Sequence, residues 1–186
     1  LSSDLQKVTY SPSKVLYYVN GSVPNWKVMI LLFERNINFV PKRLKIMGKN
    51  KETNSKEFLE INPRGLTPTF IDDGIVVTES NAIIEYVEKF YPSDIIPDKY
   101  TFANVMSYYH QADYLMEFYE PLEKLFNSLK TISKSDVEAI NKSLTKLHIE
   151  LKWWNSNING NYVCGDSFSV ADCSFYACVG YQVMRG

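Results

Sequence analysis

A chain of 186 residues, 45% hydrophobic and 22% charged with a formal net charge of -1, describes one or two globular domains with enough apolar material for their own core. The near-neutral balance, with no Lys/Arg block, excludes a general nucleic-acid binder and polybasic membrane docking, and the longest uninterrupted apolar stretch, Val28 to Phe33, is too short to span a bilayer. Three cysteines without a Cys-x-x-Cys pair and two isolated histidines point to reduced thiols and to no bound metal.

Lys14 to Val19 is a β-branched and aromatic run that reads as a strand. Pro24 to Glu34 reads as a helix with apolar Val28, Ile30, Leu31, Leu32 and Phe33, and Phe39 to Lys45 alternates as a second strand. The polar, Lys- and Asn-rich piece from Gly48 to Ser55 is expected to be a mobile loop ahead of a short helix, Lys56 to Ile61. Asn62-Pro63-Arg64-Gly65-Leu66-Thr67-Pro68 follows, and Pro68 stands before a short apolar run, Thr69 to Ile71. A central strand would lose a backbone donor there, so Pro68 is a candidate cis-proline. Asp72-Asp73-Gly74 is a hairpin turn into Ile75 to Thr78, and Glu79-Ser80 opens an amphipathic helix with apolar Ile83, Ile84, Val87 and Phe90.

A βαβ unit followed by a ββα unit is the thioredoxin-like pattern. It spans residues 14–91; residues 92–99 read as a linker and residues 100–186 as helices only. The second part begins with a long helix from Phe102 to about Leu129. A further helix runs from Lys134 or Ser135 to Trp154, with Val137, Ile140, Leu144, Leu147 and Leu151 as its core stripe. Ser169-Val170-Ala171-Asp172 is a capping box variant that starts one more helix after Gly165-Asp166-Ser167-Phe168.

The succession Asn62-Pro63, Gly65, Pro68, Asp73-Gly74 and Glu79-Ser80 resembles the glutathione-binding half of the cytosolic glutathione transferases, and Gly165 to Asp172 resembles the helix-starting motif of that family's second domain. The resemblance implies an α+β protein, a thioredoxin-like N-terminal domain followed by an all-α C-terminal domain, with further helical turns beyond Gly186. It also implies a cytoplasmic homodimer that takes glutathione as co-substrate, uses no metal, and conjugates the thiolate to small hydrophobic electrophiles in detoxification. The start at Leu1 rather than at a methionine leaves room for an upstream targeting segment.

A free thiol with a pKa near 8.5 is mostly protonated at neutral pH, so such an enzyme must favour the anion with a hydroxyl hydrogen bond and a helix N-terminus. Ser22, in Gly21-Ser22-Val23-Pro24 ahead of the first helix, is similar to the hydroxyl of the serine-type theta, delta and zeta classes. Tyr18, at the end of the first strand, is the competing hydroxyl, as in the tyrosine-type classes; the Arg-Gly that usually follows that tyrosine is missing, which favours Ser22. Asn25 is a third possibility, similar to the Pro-Asn of nu-like bacterial transferases, where the amide faces the sulfur. By resemblance the Thr67 backbone, turned outward at Pro68, pairs with the cysteinyl unit, Ser80 holds the γ-glutamyl carboxylate, and Glu79 faces the γ-glutamyl ammonium. Asn81 stands where delta-type proteins often carry arginine, and Arg64 is the first candidate for the glycyl carboxylate. Tyr109, His110 and Tyr114 are the candidates for the electrophile pocket. Two other readings share this resemblance: a glutathione-dependent disulfide reductase, for which a cysteine at the Ser22 position is lacking, and a non-catalytic dimerisation scaffold.

Overall fold

The computed structural model describes residues 14–93, 98–119 and 133–185. They fall into two compact units, one ending at Pro92 and one beginning at Ser93. The first contains, in chain order, β1 (Lys14–Tyr18), α1 (Val23–Glu34), β2 (Val40–Arg43), α2 (Lys56–Ile61), β3 (Thr69–Asp72), β4 (Ile75–Thr78) and α3 (Ser80–Phe90).

The four strands form one sheet in the order β2-β1-β3-β4, with β1 parallel to β2 and antiparallel to β3, which in turn pairs antiparallel with β4. This is the thioredoxin-like sheet. A parallel β1–β2 pair needs a crossover, and α1 supplies it. Leu16 and Phe70, opposite each other on the two central strands, have no exposed surface. The edge strand β2 is exposed along its length, so Pro41 costs it no buried ladder bond. Asp73 and Gly74 take positive φ of 48° and 87° and close the β3–β4 hairpin as the Asp-Gly pair predicts.

Helices α1 and α3 bury Val28, Leu31 and Leu32 against Ile83, Ile84 and Val87. Phe90, expected in that core, is instead 62% exposed and stacks on Tyr86, with ring centroids 4.8 Å apart. α1 ends in a Schellman arrangement: Asn36 is left-handed at φ 50°, and the Ile37 amide donates to the Leu32 carbonyl at 2.9 Å. Arg35 then ties this end to α3 through Glu88 at 2.6 Å.

The segment expected to be a mobile loop is held closed. The Glu52 amide donates to the Lys45 carbonyl at 2.8 Å, and the Glu52 carboxylate accepts from the Lys45 amide at 2.7 Å. A turn of 3-10 helix, Glu52–Asn54, follows, and Ser55 caps α2 by accepting from the Phe58 amide at 3.2 Å. Phe58 is buried against Tyr17, ring centroids 5.3 Å apart.

One ionic cluster closes the end of the sheet. Asp72, 3% exposed, is ion-paired with Lys14 at 3.0 Å and accepts hydrogen bonds from Tyr86 at 3.0 Å and from Tyr91 at 2.6 Å, so a single carboxylate joins β1, β3 and α3. Burial pushes the Asp72 carboxyl up, and the hydrogen bonds from Tyr91, Lys14 and Tyr86 overcome it, leaving its pKa below the usual carboxylate value. The bond to Asp72 raises Lys14 in turn, against the opposing effect of burial.

The second unit comprises α4 (Lys99–Gln111), α5 (Lys134–Asn157) and α6 (Val170–Arg185). Asp98 caps α4, accepting from the Tyr100 and Thr101 amides at 2.8 and 3.0 Å. The long helix expected from Phe102 is interrupted early. Asp113, Leu115 and Met116 donate three residues back, to His110, Ala112 and Asp113, so the helix tightens at 112–113 and resumes at 114–119. No proline or glycine marks this break, which is why periodicity misses it; the expected continuation toward Leu129 lies outside the described residues.

α5 begins with a full capping box between Ser133 and Asp136. Its expected core stripe is only partly covered: Val137 and Leu144 are each 46% exposed, whereas Leu147 and Trp154 are buried. Trp154 packs against Phe175 of α6, centroids 4.6 Å apart, and donates its indole N–H to Glu150 at 3.1 Å. At the start of α6 the Asp172 carboxylate accepts from the Val163 amide at 2.8 Å and from the Ser169 amide and hydroxyl at 2.8 and 3.0 Å. The carboxylate half of the predicted capping box thus forms and extends back to Val163, while the Asp172 amide donates to the Ser169 carbonyl at 3.1 Å. No described helix is long and apolar enough to cross a membrane.

Candidate active site

The loop before β3 is held by one side chain. Asn62 is buried; its Nδ2 donates to the Leu66 carbonyl at 2.8 Å and to Thr69 Oγ1 at 3.0 Å, and its Oδ1 accepts from the Arg64 amide at 3.1 Å. In the sequence the signal for this role is its position before Pro63 in a turn. The Gly65 amide closes the turn on the Asn62 carbonyl at 2.9 Å with φ at 61°. A Cβ there would lie 2.8 Å from the Thr53 carbonyl oxygen. Gly65→Ala is therefore expected to destabilise the protein by about 2 kcal/mol in urea unfolding, from left-handed strain plus the backbone clash.

The Thr67–Pro68 bond is cis, as the strand argument required. Thr67 itself is half-exposed, and among the described residues its backbone N–H and C=O have no hydrogen-bond partner. Its hydroxyl accepts from Asn25 Nδ2 at 3.3 Å, a contact that joins the loop to α1.

The N-terminus of α1 is left open on the side chain that should close it. Ser22 is the N-cap, extended at φ -122° and ψ 117°, yet its hydroxyl makes no capping bond. Capping serines ordinarily accept from the second or third helical amide, and Pro24 at the second position has none to give. The half-exposed Ser22 hydroxyl is therefore available to an outside partner at the positive end of a helix. One turn on, Asn25 is fully buried and its Oδ1 accepts no hydrogen bond among the described residues, at a cost of about 1–3 kcal/mol. Lys27, 3% exposed, is a second buried polar group on this helix that the apolar pattern concealed.

Tyr18 ends β1, its carbonyl accepting from the Leu44 amide at 2.8 Å. Strand alternation directs its side chain to the face opposite Tyr17, and it too is half-exposed.

Glu79 precedes α3 at φ 70° and ψ 125°, a conformation that costs a residue with a Cβ about 1–3 kcal/mol, and its side chain makes no capping bond. The half-exposed Ser80 thus stands at a positive helix end that the N-cap side chain leaves uncapped. Arg64 Nη1 lies 3.9 Å from Glu79 Oε1. A cation and an anion stand side by side at that helix end.

Tyr109, His110 and Tyr114 belong to the helical unit. Tyr109 is fully buried, with His110 stacked on it at 4.6 Å between centroids, while His110 and Tyr114 are exposed. Burial first, then the charge of Asp172, pushes the Cys164 thiol up to about 11, with the Ser169 hydrogen bond pulling weakly down. Cys164 is expected to resist iodoacetamide at pH 7 in the folded protein, and mass spectrometry of the alkylated chain checks this. Among the described residues no group of three or more His, Cys, Asp or Glu side chains could hold a metal ion.

The first unit thus combines a thioredoxin-like sheet, an unpaired backbone beside its cis-proline and an open helix end carrying a hydroxyl, and a helical unit follows it in the chain. The sequence profile of the glutathione S-transferase N-terminal domain matches residues 13–89. The chain is 31% identical over 178 residues to glutathione S-transferase A of Pleuronectes platessa, covering 92% of this chain and 78% of that one. It is also 31% identical over 172 residues to a probable maleylacetoacetate isomerase of Caenorhabditis elegans, covering 86% and 74%. The crystal structure of a glutathione S-transferase from the Antarctic clam Laternula elliptica superposes with a TM-score of 0.82 at 30% identity, covering 94% of this chain and 80% of that one. The chain belongs to the glutathione S-transferase family and is a glutathione transferase.

Proposed function

We propose that this enzyme binds glutathione along the loop before β3 and activates its thiol at the N-terminus of α1, with Ser22 donating the hydrogen bond that holds the thiolate. The observation that carries this reading is the set of unpaired groups in one unit: the Ser22 hydroxyl, the Thr67 backbone and the uncapped start of α3 at Ser80. A peptide needs main-chain partners, a carboxylate needs positive ends, and a thiolate needs a donor. Thr67 beside Pro68 takes the cysteinyl unit. Ser80 with the α3 amides takes the γ-glutamyl carboxylate, and Glu79 takes its ammonium. Arg64, expected at the glycyl end, stands next to Glu79 and is assigned to the γ-glutamyl carboxylate instead.

The thiolate then adds to a small hydrophobic electrophile in the detoxification reaction. A cytoplasmic homodimer is the working form proposed. The isomerase relative supports a second reading, in which the thiolate adds to an unsaturated diacid and leaves again, returning glutathione unchanged. Calorimetric titration of glutathione, with product analysis on an aromatic chloride and on a cis-enedioate, tests both. Binding with a stable thioether product supports conjugation, geometric isomerisation without glutathione consumption supports the second reading, and absence of binding overturns both.

A further inference from the structure

Asn25 is a costly residue to bury. It is fully buried, one helical turn beyond Ser22, and one of its two amide heteroatoms has no partner among the described residues. The other reaches across 42 positions of sequence to Thr67 Oγ1 at 3.3 Å. With no exposed surface, Asn25 meets a ligand only through the group it holds.

We propose that Asn25 is a positioning residue that sets the distance between the Ser22 hydroxyl and the Thr67 backbone, and through it the acidity of the bound thiol. The inference rests on the glutathione site proposed above. Thr67 is bracketed by two side-chain amides: Asn62 holds the preceding Leu66 carbonyl at 2.8 Å, and Asn25 holds the Thr67 hydroxyl from the side of α1. Ser22 is the N-cap of α1 and Asn25 its third residue, so one helix start carries both. The peptide-holding backbone and the thiol-facing hydroxyl are thereby registered to each other by a single bond. A leucine, with the same branching, would remove the orphaned heteroatom, so stability would hold or rise while the registration is lost.

The test is a pH–rate profile of conjugation for wild type, Asn25→Leu, Thr67→Val and the double variant, with melting temperature and glutathione affinity taken on the same samples. Asn25→Leu is expected to melt at or above wild type, yet to be about tenfold slower near pH 6.5, with the deficit closing near pH 9, because the bound thiol's apparent pKa rises by about one unit. Thr67→Val is expected to match it, and the double variant to be no worse than either. A wild-type profile in both single variants, a deficit equal at all pH values, or additive effects overturn the proposal. Should Asn25→Leu fail to fold, Thr67→Val decides the matter. A wild type that binds no glutathione overturns the site reading and this inference together, whereas an active wild type with unchanged variants overturns this inference alone.

Discussion

Ser22→Ala is expected to lower kcat/KM for conjugation by about 10- to 100-fold while leaving glutathione affinity within a few-fold of wild type. A hydrogen bond to a charged partner contributes about 1.5–3 kcal/mol, and every 1.4 kcal/mol is a factor of ten. The α1 N-terminus keeps its dipole in the variant, so part of the thiolate stabilisation survives and activity does not vanish. Affinity is spared because the Thr67 backbone, Ser80 and Glu79 hold the peptide at other points in the proposed site. The hydroxyl makes no capping bond, so the melting temperature is expected to stay close to wild type, unlike the loss that follows removal of an ordinary capping serine. Tyr18→Phe is the control, expected to keep wild-type kinetics; if it carries the loss and Ser22→Ala does not, the thiolate donor is Tyr18.

Asp72→Ala is expected to cost about 3–5 kcal/mol of unfolding free energy at neutral pH, the range for breaking a buried pair from one side. The variant would leave the Lys14 ammonium without its 3.0 Å partner and the Tyr86 and Tyr91 hydroxyls without their acceptor. At about 2–4 °C per kcal/mol for a chain of this size, melting should fall by roughly 10 °C. The pH dependence has two edges. Asp72 is lowered in the folded state from 3.8, so its contribution is present above that value and disappears as pH falls through the lower folded value. Lys14 is raised from 10.5, so its contribution is present below that value and disappears as pH climbs through the higher folded one. Urea unfolding of wild type and variant at pH 7 and pH 3 should show the gap between them narrowing in acid. An equal gap at both pH values would mean that the loss is one of packing, without the ionic cluster.

The sequence alone determined the thioredoxin-like order of elements, the cis-proline, the Asp73-Gly74 hairpin, the Ser169-Asp172 pairing at the start of the last helix, and the resemblance that the comparisons then bore out as family membership. All of these are local: a proline before a strand, a turn dipeptide or a capping pair acts within a few residues, so spacing along the chain is enough to see it. The interruption at 112–113 lacks such punctuation, and the half-exposed stripe of α5 depends on what covers it, so periodicity overestimated both. Only the tertiary structure decided that Asn25 and Lys27, polar residues of α1, are buried, that Asn62 staples the loop, and that Arg64 stands beside Glu79. It also decided that Lys14, Asp72, Tyr86 and Tyr91 meet at one carboxylate. The longest-range of these contacts join Lys14 to Asp72 and Asn25 to Thr67. Their partners are chosen by how the sheet and helices pack, because a buried polar group takes whatever donor or acceptor the fold brings within reach.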